Sequence, residues 1–116
     1  MARQNTRLAD IQYVPSTVGA VLTNPASTKT FVAGFWLFNT GTTAQRVALY
    51  NVPDSGGSVG TASNANFMAE IVLEGKETRI VPAPYPITLI DTNDTIQAVT
   101  QTASQVTIQL LGDRDA

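Results

Sequence analysis

The sequence predicts an all-β fold: an antiparallel β-sandwich of jelly-roll type with about eight strands, preceded by an extended N-terminal arm. Three observations carry this expectation. Apolar residues come in short alternating or continuous runs, with no stretch that closes over a helical face. Turn-forming clusters rich in Gly, Pro, Asn and Asp separate those runs. Threonine is the commonest residue, while charged residues make up only 14% of the 116, against about one quarter in an ordinary domain. A Thr-rich, weakly charged surface suits strands, and it is cheap to desolvate against a partner.

The elements follow in order. Residues 1–16 form the arm: polar, with Arg3 and Arg7, but also carrying Leu8, Ile11, Tyr13 and Val14, which would be wasted on a solvated tail. Two readings stand level: a frayed terminus, common at chain ends, and an extended arm that lies on a neighbouring subunit. Residues 17–116 form the sandwich domain. Its first strand covers 18–22 and stops at Asn24-Pro25. The second, 30–38, is the longest run, with Phe31, Ala33, Phe35 and Leu37 on one face and Val32, Trp36 and Phe38 on the other. Apolar on both faces, it is expected at the centre of the fold or under a partner. Asn39-Thr40-Gly41 turns the chain into strand 45–51, with Val47 and Leu49 facing one way and Ala48 and Tyr50 the other. Residues 53–66 are small, polar and Gly-rich, and read as one long surface loop.

Strands resume at 67–73 and 77–81, joined by a tight hairpin turn at Glu74-Gly75-Lys76. Pro82, Pro84 and Pro86 stiffen the next segment, which cannot sit in a central ladder and is expected to carry the chain between sheets. Strand 87–90, a turn at 91–94 and a closing hairpin of 95–100 with 106–111 complete the domain. GDRDA is a polar tail.

Composition excludes several function classes. There is no cysteine and no histidine, which removes thiolate chemistry, the usual general base and the commonest transition-metal ligand. A triad cannot be completed. Net charge is -2 with basic residues scattered, so no footprint for nucleic acid exists. The N-terminus lacks the apolar stretch of a secretory signal and no run is long enough for a membrane helix, so a soluble protein with no membrane partner is expected.

Four constellations are weighed against plainer uses. Asp91 and Asp94 offer oxygen ligands for a hard cation, but lack the Gly and distal Glu of a Ca²⁺ loop; capping of their own turn is the better reading. Glu70, Glu74 and Glu77 lie close together without an apolar pocket to separate their roles as acid and base. Gly56, Gly57 and Gly60 lack the Lys and following helix of a phosphate loop. Trp36, Tyr50, Phe67 and Tyr85 have the chemistry of a sugar platform, although aromatics at strand spacing more often serve core or interface. No cofactor is expected.

The run 25–32 (PASTKTFV), then Asn39-Thr40-Gly41, Val47-Ala48-Leu49-Tyr50, Ile87-Thr88-Leu89, Asp94-Thr95-Ile96-Gln97-Ala98 and 106–112 (VTIQLLG) resemble small β-sandwich virion proteins of tailed bacteriophages. The likeness spans about residues 20 to 112, through motifs that are each a strand plus a turn. It implies a capsid decoration, or cement, protein on the outer face of the phage head, assembled in the host cytoplasm. The major capsid protein would be its partner, and the chain a homo-oligomer across capsomer junctions, a trimer in preference to a dimer. Arg3, Arg7, Leu8, Ile11, Tyr13, Trp36 and Phe38 are the expected protein-interface residues. The alternative is a tail- or fibre-associated receptor- or carbohydrate-binding module, with residues 53–66 and Tyr50 or Tyr85 facing the ligand.

Overall fold

The computed structural model describes residues 3–5 and 8–115, the side chains at 3–5, 84 and 85 excepted. Among these lie β1 (Arg3–Asn5), β2 (Gln12–Tyr13), β3 (Gly19–Thr23), β4 (Lys29–Asn39), β5 (Gln45–Val52), β6 (Phe67–Leu73), β7 (Thr78–Leu89), β8 (Thr95–Thr100) and β9 (Val106–Asp115), with a single 3-10 turn at Asn64–Asn66. They form two antiparallel sheets. In the first, β1 and β2 both pair with β9, followed by β4 and β7; the second runs β3, β8, β5, β6. The fold is the expected all-β sandwich.

Alternation along the strands builds the core. Val32, Phe35 and Leu37 of β4, with Val106, Ile108 and Leu110 of β9, face Val47 and Leu49 of β5, Ile71 and Leu73 of β6, and Ile96 and Ala98 of β8. All are buried. Removing that apolar surface from water is the main force holding the two sheets together.

Six expectations change. First, 74–76 does not close a hairpin, because β6 belongs to the second sheet and β7 to the first. Second, β8 and β9 likewise lie in opposite sheets, so 101–105 is an arch. A turn signal reports that the chain reverses, not whether the next strand pairs with the same sheet. Third, the proline segment does not cross between sheets. It lies within β7, an edge strand, where residues 83–86 bulge out between the pairs Val32↔Ile87 and Gly34↔Pro82. An edge tolerates missing N–H groups on its open side.

Fourth, the polar tail is strand: β9 continues to Asp115, pairing with both β4 and β1. Arg114 anchors it, donating to Thr30 Oγ1 at 3.3 Å and to the Leu8 carbonyl at 3.0 Å. Fifth, a bulge between Val32 and Gly34 shifts β4 by one residue. Parity reverses there, so Val32 joins Phe35 and Leu37 inside, while Phe31 joins Trp36 and Phe38 outside. Sixth, the N-terminal segment lies on its own chain. β1 and β2 extend β9, and Leu8 and Val14 enter the core.

Two buried asparagines tie the ends of the sandwich. Asn39 donates from Nδ2 to the carbonyls of Thr43, Leu73 and Glu74 at 2.8, 3.3 and 3.1 Å, and its Oδ1 accepts from Gly41 N. At the other end, Asn24 donates to the carbonyls of Thr28 and Asp91 at 2.8 and 3.0 Å and accepts from Thr30 Oγ1 at 2.6 Å. Each spans three segments and leaves no polar atom of its side chain unused, as a buried amide requires.

Candidate protein-contact surface

The outer face of the first sheet is an exposed apolar surface. Register places its side chains in rows: Tyr13–Thr107–Phe38–Thr78, then Gln109–Trp36–Ile80, then Leu111–Gly34–Pro82. No charged residue stands in these three rows. Tyr13 is 52% exposed, Trp36 45% and Ile80 55%, with Ile11 at 62% just before β2. Phe38 and Leu111 are half-buried between them. Large apolar side chains scattered singly on a surface need no explanation, but neighbours on one sheet face mark a contact site.

The expected interface residues divide accordingly. Tyr13, Trp36 and Phe38 meet on this face, and Ile11 is exposed beside it. Leu8 does not: at 4% exposure it packs in the chain's own core. Arg7 lies outside the described residues, and Arg3 is described as β1 backbone only. Ile80 and Leu111 stand on the same face. Ile80 sits two residues from Thr78 in a run whose facing only its pairing with Trp36 reveals, and Leu111 turns outward beside Leu110.

The outer face of the second sheet is treated differently. Tyr50 and Phe67 pair across β5 and β6 with ring centroids 5.4 Å apart, tilted by 55°. Arg46 and Glu70 form an exposed ion pair at 3.4 Å. Between them a shallow groove of about 300 Å³ is lined by Arg46, Ala48, Tyr50, Glu70, Val99 and Gln101. Toward the far end of the sheet the chain covers itself. Val52, Thr95 and Gln97 point outward yet are buried, because the start of the 53–66 segment folds back over them. Gln97 Nε2 donates to the Gly60 carbonyl at 3.1 Å and to Thr95 Oγ1 at 3.0 Å. Gly60 fits because a Cβ there would collide with the Pro53 carbonyl oxygen; Gly56 and Gly57 serve a different need, sitting at φ 61 and 90° in the turn between Ser55 and Ser58. The four aromatics therefore make no common platform: Trp36 is on one sheet, Tyr50 and Phe67 on the other, and the Tyr85 side chain is outside the described residues.

The carboxylates are structural in their contacts. Asp54, Asp91 and Asp94 bring oxygens within 4.8 Å of one another. Asp94 accepts from the backbone N–H groups of Asp54, Ile90 and Asp91 at 2.9, 3.1 and 3.0 Å. Partial burial pushes its pKa up, but those N–H donors outweigh it and hold the carboxyl below its usual value. The network closes the 90–94 turn onto residues 54–57. Glu77 accepts from Glu74 N and from Arg79, which together keep its carboxyl low; its side chain is half-buried beside Arg79.

No helix among the described residues is long and apolar enough to cross a membrane. Comparison with protein-family models, with curated proteins and with solved structures finds no match to this chain.

Proposed function

We propose that this chain is a structural virion protein of a tailed phage: a head decoration protein that binds the outside of the capsid and stabilises it by bridging subunits of the major capsid protein. The observation that carries the reading is the three uncharged aromatic and aliphatic rows on the outer face of the first sheet, centred on Trp36 and Ile80. Trp and Tyr on a rigid sheet are favoured anchors at protein contacts, since they desolvate large area at little entropic cost. The sequence resemblance supports the virion setting. The strand order supports the jelly-roll form, since every connection from β2 onward except β5–β6 passes between the two sheets. Contact area alone performs such a task, with no reacting group. A protein that binds only the assembled shell stabilises it by mass action, and many copies add avidity.

Cosedimentation with shells assembled from the major capsid protein of the same genome tests this. The natural chain is expected to pellet with shells, and Trp36→Ser with Ile80→Ser to weaken binding at least tenfold. Undiminished binding by that variant, or none by the natural chain, overturns the proposal.

The groove beside Tyr50 favours one second reading, a receptor- or carbohydrate-binding module at the tail. An aromatic ring flanked by a carboxylate, a guanidinium and an amide suits a sugar's apolar and hydroxyl-bearing faces. A glycan array separates the two: specific binding lost in Tyr50→Ala favours the tail module.

A further inference from the structure

The two sheets expose four edges, and three of them are blunted. β7 carries Pro82, Pro84 and Pro86 and bulges over 83–86. β3 has five residues and a bulge between Ala20 and Leu22. The edge beside β9 is occupied by β1 and β2, of three and two residues, which are separated by residues 6–11. Short strands, prolines and bulges are the devices by which sheet proteins prevent edge-to-edge pairing. β6 is the least protected. It runs seven residues, FMAEIVL, without proline, and its one bulge lies at its start, between Phe67 and Ala69, leaving residues 69–73 in regular pairing with β5. Its one charge, Glu70, is already matched by Arg46 on β5. Val72 is 43% exposed. As the last strand of its sheet, β6 has no neighbouring strand on its outer side among the described residues.

We propose that β6 is a pairing edge, and that its occupant is β6 of a second copy of this chain, joined antiparallel about a two-fold axis into one continuous eight-stranded sheet. Self-pairing suits this strand. With Ile71 opposite Ile71 of the other copy, Glu70 stands opposite Val72 and no like charges face each other. Side chains directly opposite in an antiparallel pair share a face, so Ile71 remains over the core in both copies and Glu70 and Val72 remain outside. The association is isologous and closes at two copies. It uses an edge, and leaves the apolar face of the first sheet free for the contact proposed above, on which it does not depend.

Sedimentation equilibrium of the full chain across a wide concentration range is the first test. A reversible dimer is expected, weakened at least tenfold in Val72→Glu, which sets a second carboxylate opposite Glu70 of the other copy while its outward position spares the core. Hydrogen exchange of the unaltered chain, followed against concentration, covers the case in which that variant misfolds. Amides of β6 should gain protection as dimer forms, while those of β3 and β7 do not. A chain that stays monomeric at all concentrations overturns the proposal. So does a dimer undisturbed by Val72→Glu, or one whose formation leaves β6 exchange unchanged.

Discussion

The outer faces of the two sheets receive opposite treatment. On the second sheet, outward Val52, Thr95 and Gln97 are covered by the chain itself, and Gly60 supplies both a carbonyl for Gln97 and the close fit that a larger residue would forbid. On the first sheet, Tyr13, Trp36 and Ile80 are larger and more apolar, and no segment among the described residues covers them. This sequence thus closes an outer face with its own backbone at one place and leaves a more hydrophobic one open at another.

Four substitutions test the contrast, in descending order of effect on stability. Leu37→Ala removes a fully buried side chain shared by both layers, so it sets the ceiling: a loss of about 3 kcal/mol by denaturant unfolding is expected. Asp94→Ala unlatches the 90–94 turn from residue 54, at an expected cost of about 2 kcal/mol near neutral pH. Its effect carries a pH signature. Because the folded pKa lies below the unfolded reference of 3.8, the charge-linked part is complete above that value and disappears as pH falls through the folded value. Unfolding curves of the natural chain and the variant should therefore converge below about pH 4.

Gln97→Ala is third. It leaves the Gly60 carbonyl without its donor beneath the folded-back segment, costing about 1.5 kcal/mol, with faster exchange at the amides of 55–60. Smallest is Trp36→Ser, expected within about 0.5 kcal/mol of the natural chain, as for an outward residue with no covering segment. Together with Ile80→Ser it should nevertheless abolish most shell binding. If Gln97→Ala and Trp36→Ser destabilise equally, the two faces are not differently used.

The N-terminal segment shows how far local reading reaches. Its apolar residues signal that 8–14 must be buried somewhere; Leu8 and Val14 are, in the core of the same chain, while Ile11 and Tyr13 stay exposed. Deleting residues 1–15 would uncover β9 and remove Leu8 and Val14 from the core, so such a truncation tests folding as much as attachment. The same limit applies to Asn24 and Asn39. In sequence each is an ordinary turn residue, one before Pro25 and the other two before Gly41; in space each ties its own segment to two others, the partners of Asn39 reaching 35 positions away and those of Asn24 reaching 67.

What the sequence determined by itself was the class and the rhythm: strands, their alternation, the exclusion of thiol and imidazole chemistry, and the aromatic residues at issue. Those depend on side-chain period and residue chemistry, which are local. Only tertiary structure decided which sheet each strand joined, which face of β4 looked outward after a one-residue bulge, and which outer face the chain covered. These are outcomes of pairing between distant segments. Because side chains alternate with period two, a single irregular residue reverses every assignment beyond it.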